Sequence, residues 1–364
     1  MNRRTVGIGV VGSGRIGTHR ALLASQHPAV SYLRLADLSE EAVERLGEET
    51  AADETGTDPE ALVADPAVDA VVVATPEDAH FDAARLALEA GKPVLVEKPL
   101  ALDPKEAAAL VDLSRETGVD LRVGYSARYL QKYFVSRDQV RQGKIGTVIG
   151  GWSRVYSSRA QGLAILGRSV HATPVADIVT YLVDLVGWYL PDGVVPVEAT
   201  ARGNGVVFRD HGYDVDDITS ATLTYSDGSV FGFDVCYMLP MGFPTTGQSI
   251  RFEMFGSDGV VLIDDDHRDQ ILFSEQGYRN AYASAQEVNL VFLGSRSSGE
   301  WAQGKMFGRI ADETRAWLDH LGVGTPCHLT TATEAYVTLA ATTAIEEAAL
   351  SKTSVRVDLS AIGR

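Results

Sequence analysis

Hydrophobic and polar positions form a regular block pattern over the first third of the chain. Short, mostly apolar runs alternate with longer segments that have one apolar and one polar side. The apolar runs, in chain order, are VGIGVVG, SYLRLAD, AVDAVVVATP, KPVLVEKP and DLRVGYSA. Strands that are apolar on both sides belong to parallel sheets whose two faces are covered by helices. The pattern therefore predicts a doubly wound α/β domain over residues 1–125.

The pattern changes after about residue 147, where strands of alternating polarity begin. Asp-Gly turns at residues 226–229 and 256–259 separate pairs of these strands, as in β-hairpins. Successive hairpins predict a second α/β domain, residues 126–364, with a large, open and mainly antiparallel sheet. Two helical segments are expected to cover this sheet or to return to the first domain. They are residues 306–324 and 331–351.

The hairpin segment 221–238 predicts how the chain assembles. Its aromatic and aliphatic residues are expected on both faces of the sheet, since alternate residues of a strand point to opposite faces. Helices are expected to cover one face, and an exposed apolar face of this size normally contacts a partner. We therefore predict a homodimer or homotetramer, with the second domain serving substrate binding and oligomerisation. Residues 294–304 are predicted to form a mobile loop.

Composition and charge exclude several classes of partner. The chain has 364 residues, 45% of them hydrophobic, which is enough to fill two cores. A net charge of −17 argues against nucleic acid and against an anionic membrane surface, because both partners require a basic face. No run of about 18 apolar residues occurs, and glycines interrupt the apolar run near the N-terminus. Neither a membrane span nor a signal peptide is predicted.

Cysteine usage predicts the compartment and argues against a metal site. Cys236 and Cys327 are the only cysteines, and their spacing fits neither a disulfide framework nor a zinc site. The sequence also lacks a clustered set of His, Cys and Asp residues. We predict no bound metal and a reducing, cytoplasmic location.

A glycine motif marks the first turn from strand to helix. Gly12, Gly14 and Gly17 have the GxGxxG spacing in which a helix N-terminus holds a pyrophosphate. Asp37 ends the second strand, where a carboxylate can accept hydrogen bonds from the adenosine ribose. The alternative is that Asp37 is only an exposed turn residue. Since a carboxylate would repel a 2′-phosphate, the motif favours NAD over NADP.

A charge pair ends one of the apolar runs. The segment VLVEKP, residues 94–99, has the pattern of a buried strand that stops at Glu97 and Lys98. The carboxyl ends of strands line the ligand-binding edge of a doubly wound sheet. Either Lys98 acts on a ligand at this edge, or it forms only a structural ion pair with Glu97.

An apolar helix in the middle of the chain carries a polar stripe. Pro174 suits a first helical turn, and Asp177, Tyr181 and Asp184 follow at positions i, i+4 and i+7. Burying carboxylates in a core helix is costly unless they are paired or used, so the stripe is a candidate functional site. The alternative is that Tyr181 fills the core and both aspartates lie at a solvated edge.

These motifs together resemble the glucose-fructose oxidoreductase and inositol dehydrogenase (Gfo/Idh/MocA) family. The resemblance extends from residue 6 through the C-terminal helix. It rests on VGSGRIG, ATPEDAH, EKP, GYSARY and the D-x-x-x-Y-x-x-D pattern that begins at Asp177. It implies an N-terminal Rossmann domain, a C-terminal α/β domain with an open sheet, and NAD-dependent oxidation of a sugar or cyclic polyol.

The resemblance also implies roles for individual residues. Lys98 would lie beside the nicotinamide and the substrate hydroxyl, and Asp177 would bind the reacting ring. Tyr181 stands where many members have a histidine as general base, whereas other members have tyrosine there. A tyrosine needs a nearby cation to ionise at neutral pH, and Lys98 is a candidate for that cation. His80 and His171 are alternative proton acceptors, although an ordinary structural role is favoured for each.

The remaining site residues follow from the same motifs and from the loop between Tyr156 and His171, which is expected to shape the pocket with Arg159 and Arg168. The cofactor is expected to contact Gly12, Gly14, Arg15, Ile16, Gly17, Asp37, Thr75, Pro76, His80, Glu97 and Lys98. The substrate is expected to contact Lys98, Arg128, Tyr156, Arg159, Arg168, His171, Asp177 and Tyr181. Two other functions stay open: an NAD-dependent glycosidase that oxidises its substrate transiently, and a regulator that binds the cofactor without catalysis.

Overall fold

The structure is a computed structural model that describes residues 5–361, except 169–171, 241–247, 265–269, 280–286 and 294–299. The strands are β1 (Val6–Val11), β2 (Val30–Ala36), β3 (Glu54–Gly56), β4 (Ala70–Val73), β5 (Val94–Glu97), β6 (Leu121–Gly124), β7 (Val148–Ser158), β8 (Pro196–Asn204), β9 (Ile218–Tyr225), β10 (Val230–Leu239), β11 (Gln248–Gly256), β12 (Val260–Asp264), β13 (Gln270–Arg279), β14 (Glu287–Leu293), β15 (Glu300–Ala302), β16 (Lys305–Phe307), β17 (Thr330–Thr331) and β18 (Val355–Arg356). The helices are α1 (Arg15–Ser25), α2 (Glu40–Thr50), α3 (Pro59–Ala64), α4 (His80–Glu89), α5 (Pro104–Thr117), α6 (Gln131–Arg141), α7 (Arg159–Arg168), α8 (Thr180–Tyr189), α9 (Val207–Asp210), α10 (Arg309–Val323) and α11 (Ala332–Ser351). A π-helical turn, Val175–Val179, precedes α8.

The chain divides into two compact units. The first contains residues 1–129, 301–336 and 360–364, and the second contains residues 130–300 and 337–359. The first unit is therefore discontinuous in sequence.

A seven-stranded sheet forms the centre of the first unit. Its order is β17-β6-β5-β4-β1-β2-β3, with β1 to β6 parallel and β17 antiparallel to β6. The direction of winding reverses between β1 and β4, which is where doubly wound sheets bind ligands. The predicted Rossmann architecture is confirmed.

Local sequence signals explain the helix boundaries in this unit. In α5, Asp103 accepts a hydrogen bond from the Lys105 N–H, and Pro104 occupies the first turn. The helix ends at Gly118, whose φ of 69° suits a glycine. The elements β3 and α3 are absent from the sequence prediction because they are too short to show a period.

The core of the first unit includes residues from near the C-terminus. β1 and β4 are buried along their whole length, as strands covered on both faces should be. Trp317, Leu318 and Leu329 belong to the same apolar cluster as β1, β2 and α1. The segment that the sequence allows to return to the first domain, α10, therefore packs against α1.

The second unit contains a seven-stranded sheet of order β12-β11-β7-β10-β9-β8-β18. The predicted hairpins β9–β10 and β11–β12 are both present and antiparallel. One pair departs from the prediction, since β7 and β10 run parallel. The sheet is nevertheless mainly antiparallel, which confirms the predicted fold class.

The two faces of this sheet differ more than the sequence suggests. In the β9–β10 hairpin, the aromatic side chains all lie on the buried face, so the expectation of aromatics on both faces was wrong. They are Tyr225, Phe231, Phe233 and Tyr237. The opposite face of this hairpin carries Ser220, Thr222, Thr224 and Asp234 among others. Strict alternation separates the two sets, because the register keeps residues of one parity on one face.

The outer face gains apolar surface from other strands. Trp152 of β7 is in register with Gly232 and Glu253, and Glu253 is in register with Leu262. Residues in register share a face, so Trp152 and Leu262 lie on the outer face, where they are 61% and 64% exposed.

The predicted mobile loop is only partly described. Residues 294–299 of the predicted mobile loop lie outside the described residues, whereas residues 300–302 form β15 and pair with β16. Across the described ranges, no helix is long and apolar enough to cross a membrane. The same ranges contain no group of three His, Cys, Asp or Glu residues that could hold a metal ion.

Candidate active site

The glycine-rich turn follows β1 at the reversal point of the first sheet. Gly12 has a φ of 104°, and a Cβ there would lie 2.5 Å from the Ala74 carbonyl oxygen. A Cβ at Gly17 would lie 1.8 Å from the Gly12 carbonyl oxygen, so α1 approaches the turn too closely for any side chain. Gly14 precedes the first residue of α1, and no atom lies within 4 Å of a Cβ built there. The turn thus exposes bare backbone and a helix N-terminus, which suits a pyrophosphate.

Asp37 lies beside this turn. Its Oδ2 accepts a hydrogen bond from the Ser13 N–H at 2.5 Å, and its Oδ1 accepts one from the Ser39 N–H at 2.8 Å. Each carboxylate oxygen can accept a further hydrogen bond, and the side chain is only half-buried. The carboxylate is therefore fixed against the glycine turn and is still able to bind a ribose, which fits NAD. Arg15 is exposed and Ile16 half-buried at the start of α1.

The turn after β4 holds His80 in a structural position. His80 is 1% exposed, its Nδ1 lies 2.7 Å from the Pro99 carbonyl oxygen, and its Nε2 lies 3.1 Å from the Thr75 carbonyl oxygen. Both ring nitrogens thus face backbone acceptors, which favours the structural interpretation over a role as proton acceptor. Pro76 is exposed at this turn.

Lys98 directly follows β5, and its side chain is half-buried. The neighbouring Glu97 carboxylate is bound by Arg20 of α1, whose Nε donates to Oε1 at 2.8 Å. An ion pair with Lys98 is therefore not needed to explain why the strand ends in Glu97. The sequence analysis did not identify Arg20, although an arginine inside the apolar stretch of α1 is a signal of a buried pair.

Arg20 also contacts the returning helix α10. Its Nη2 donates to Glu313 Oε2 at 2.5 Å, and its Nη1 donates to Thr314 Oγ1 at 2.6 Å. Arg20 is 1% exposed and Glu313 is fully buried. Burial raises the pKa of Glu313 to about 7 despite the attraction of Arg20, since Glu97 already neutralises that guanidinium.

Arg128, a predicted substrate contact, is buried in the first unit. Its Nη1 lies 3.4 Å from both carboxylate oxygens of Glu334, near the start of α11. Glu334 also accepts hydrogen bonds from the N–H and hydroxyl of Thr331. These contacts give Arg128 a structural role, and its contact with substrate remains a prediction.

The polar stripe of the second unit begins in the π-helical turn. Thr173 caps this turn, because its Oγ1 accepts from the Ala176 N–H and its carbonyl oxygen accepts from the Asp177 N–H. Asp177 Oδ2 accepts a hydrogen bond at 2.7 Å from the hydroxyl of Tyr237, a buried residue of β10. π-Helical turns are frequent at functional sites. Tyr237 was missed by the sequence analysis, because nothing in the spacing links β10 to this helix.

Tyr181 and Asp184 differ in exposure. Tyr181 is half-buried, whereas Asp184 is 1% exposed on the buried side of α8. The alternative that both aspartates lie at a solvated edge is therefore wrong for Asp184.

Burial, together with the charges of Asp227 and Asp184, raises the pKa of Tyr225.

The remaining predicted substrate residues lie on β7 and α7. Tyr156 is in register with Cys236, which places it on the face of the sheet opposite Tyr237. The Arg154 guanidinium lies 4.4 Å from the centre of the Tyr156 ring. Arg159 is exposed at the start of α7. The side chains of Arg168 and His171 lie outside the described residues.

Two family models match this chain. Residues 6–125 match the model described as an oxidoreductase family with an NAD-binding Rossmann fold. Residues 135–262 match the GFO/IDH/MocA C-terminal domain. The first match covers β1 to β6, and the second covers β7 to most of β12.

Individual relatives agree with these matches. The scyllo-inositol 2-dehydrogenase (NAD(+)) of Bacillus subtilis (strain 168) is 27% identical over 263 residues, which cover 70% of this chain and 72% of the relative. The myo-inositol 2-dehydrogenase of Thermotoga maritima is 26% identical over 75% of this chain and 80% of its own length. Among solved structures, scyllo-inositol dehydrogenase from Lactobacillus casei with bound NAD(H) and scyllo-inositol has a TM-score of 0.78 at 20% identity, over 97% of this chain and 99% of that chain.

The two matches follow one another along the chain in the same order as the two sheets. The solved structure from Lactobacillus casei is only 20% identical to this chain, so its likeness shows the fold alone. The family models show to which family the chain belongs. This chain belongs to the Gfo/Idh/MocA family of oxidoreductases.

Proposed function

We propose that this oxidoreductase uses NAD to oxidise a secondary alcohol on a cyclic polyol or a sugar. The observation that carries the proposal is the position of Lys98. It extends a strand at the ligand-binding edge of a Rossmann sheet, and its neighbour Glu97 already has a partner in Arg20. The names of the relatives, which include several inositol dehydrogenases, support a cyclic polyol as the substrate class.

The residues of the first unit would hold the cofactor. The backbone at Gly14 and the N-terminus of α1 would bind the pyrophosphate, and Asp37 would bind the adenosine ribose. Asp37 also disfavours a 2′-phosphate by charge repulsion, which supports NAD over NADP. When bound, the nicotinamide supplies the hydride acceptor.

Four residues would carry out the remaining steps. Asp177 would accept a hydrogen bond from a hydroxyl next to the reacting carbon, and Tyr237 holds the Asp177 carboxylate in one orientation. Tyr181 would take the proton of the reacting hydroxyl, and the Lys98 ammonium would stabilise the charge that develops on that oxygen. The reverse reaction, reduction of a keto-sugar, would use the same groups.

The predicted substrate contacts of Arg128, Tyr156, Arg159, Arg168 and His171 remain part of this proposal. Arg159 has the best support, since it is exposed at the start of α7. Tyr156 has weaker support, because it lies on the sheet face opposite Tyr237.

We also infer a homodimer or homotetramer that buries the outer face of the second sheet. Trp152 and Leu262 support this, because large exposed apolar side chains on one sheet face are typical of a contact with a partner. The predicted assembly keeps its basis, because Ile218 and Val230 of the β9–β10 hairpin are also exposed on the outer face, although the aromatic residues of the hairpin are not.

The function is tested with a panel of cyclic polyols and sugars, by following the absorbance of the reduced cofactor. Net formation of NADH supports a dehydrogenase, whereas sugar release without net NADH would identify a glycosidase. NAD binding without turnover of any panel member would contradict the proposal and favour a regulator.

Lys98→Ala tests the role on which the mechanism depends. Loss of the ammonium should slow single-turnover hydride transfer about a hundredfold or more, since it removes charge stabilisation in the transition state. NAD affinity should change much less, because the pyrophosphate and ribose contacts lie elsewhere. A variant with near-parental turnover would refute the mechanism.

A further inference from the structure

A buried cluster of charges connects α10 to the lysine motif. Arg20 is its centre and donates to Glu97 of β5 and to Glu313 and Thr314 of α10. The donor–acceptor distances range from 2.5 to 2.8 Å, and all three guanidinium nitrogens donate a hydrogen bond. One guanidinium thus fixes three side chains from two elements.

We propose that Arg20 and Glu313 are positioning residues for Lys98, which they act on through the Glu97 carboxylate. The proposal rests on the proposed function, because it assigns a purpose to the orientation of Lys98. Glu313 holds Arg20, Arg20 holds Glu97, and Glu97 is the last residue of β5 before Lys98. The cluster therefore fixes the direction in which the chain leaves the strand.

The geometry of the pair makes this positioning precise. Arg20 Nε and Nη2 both lie within 2.8 Å of Glu97 Oε1, so the planar guanidinium binds this oxygen from two positions. On the neighbouring strand, Gly124 is in register with Glu97. A Cβ at Gly124 would lie 3.0 Å from Arg20 Nη2 and 3.1 Å from Glu97 Oε2. The backbone of β6 at Gly124 thus limits the space around the Arg20–Glu97 pair.

A purely structural pair would not require the second carboxylate. One carboxylate neutralises Arg20, and burying another is costly. The Glu313 carboxyl is nevertheless fully buried. The other titratable groups that interact with it electrostatically are Arg309, Tyr129 and Cys327. Glu313 also connects α10 directly to Arg20. The position of α10 therefore influences the end of β5 through two side chains, those of Glu313 and Arg20.

Arg20→Lys tests the proposal with the charge retained. A lysine ammonium lacks the planar fork and cannot hold Glu97, Glu313 and Thr314 in the same arrangement. Single-turnover hydride transfer should slow about tenfold or more, while NAD affinity stays within about twofold of the parent, since a misplaced catalytic group affects the reacting geometry first. Glu313→Gln keeps a hydrogen-bond acceptor for Arg20 and should be slowed less than Glu313→Ala.

Arg34→Lys is the matched control. Arg34 also joins two carboxylates in the first unit, with Nη2 2.7 Å from Glu54 Oε1 and Nη1 2.8 Å from Asp65 Oδ2. This variant should lose stability without slowing hydride transfer. If Arg20→Lys does not fold, Gly124→Ala takes its place, because it presses on the Arg20–Glu97 pair and removes no charge.

The double variant Arg20→Lys/Lys98→Ala separates positioning from general structural damage. If Arg20 acts through Lys98, Arg20→Lys should have no further effect on the rate once Lys98 is alanine. An equal slowing in both backgrounds, or an Arg20→Lys rate equal to that of Arg34→Lys, would overturn the proposal. A Lys98→Ala enzyme with near-parental turnover would instead overturn the proposed function, so the two failures are distinguishable.

Discussion

Glu313→Gln should change how the stability of this protein depends on pH. Burial raises the pKa of Glu313 from 4.5 to about 7 in the folded protein. Its Oε1 has no hydrogen-bond partner among the described residues, so the anion is poorly solvated on that side. The folded protein therefore holds this proton more tightly than the unfolded chain does. The resulting stabilisation is complete below the unfolded pKa and is lost as the pH rises through about 7.

The size of the effect follows from the two pKa values. The change from 4.5 to about 7 corresponds to about 3 kcal/mol. The glutamine variant lacks this titration, so the free energy of unfolding of the parent should fall relative to the variant by about that amount between about pH 4.5 and about pH 8. Urea titrations of both proteins across this range measure the difference. Glu347→Gln, at an exposed position of α11, is the control for the substitution itself. A constant difference for Glu313→Gln would refute the reasoning.

Three further changes test other parts of the molecule. Asp37→Ala should weaken NAD binding by about 1.5 to 3 kcal/mol, the value of a lost charged hydrogen bond, and narrow the preference over NADP; calorimetric titration with both cofactors measures this, and unchanged NAD affinity would contradict the assignment. Tyr237→Phe should lower kcat/KM for the best substrate about tenfold with NAD affinity unchanged, because Asp177 loses its orienting hydrogen bond; a parental kcat/KM would argue against that role. Trp152→Glu should shift the assembly towards monomer in light scattering, since it places a charge on the outer sheet face, and an unchanged mass would exclude that face as the interface.

The fold of the first unit and the position of its glycine turn were largely predictable because their signals are local. Gly12 and Gly14 lie in the turn after β1, Gly17 lies in the first turn of α1, and Asp37 follows the next strand, so spacing alone relates them. The same is true of Lys98, which follows a recognisable buried strand. The partner of Glu97 was not predictable in this way. Arg20 and Glu313 come together only when α10 packs on α1, and no periodic pattern records a contact between such distant segments.

The second unit shows the same limit. The helix with Asp177 and Tyr181 was predictable from its apolar length, and the hairpins from their Asp-Gly turns. The hydrogen bond from Tyr237 depends on which sheet face packs against that helix, and alternation does not say which face that is. Tyr156 shows the same limit, because its place beside α7 in the sequence does not give the register of β7, which puts it on the outer face. Its contact with substrate stays a prediction.

The discontinuity of the first unit has a consequence for how the protein is made. Trp317, Leu318 and Leu329 fill the core beside β1 and α1, yet a ribosome adds them after residues 130–300 of the second unit. Part of the apolar surface of the N-terminal segment therefore stays exposed during synthesis until residues 301–336 have been added and have packed against it. Any truncation before α10 removes this closure, so a shortened chain ending at Tyr129 should expose the surface that Trp317 covers. The first unit is thus closed only after most of the second unit has been synthesised, although β1 to β6 precede the second unit in the chain.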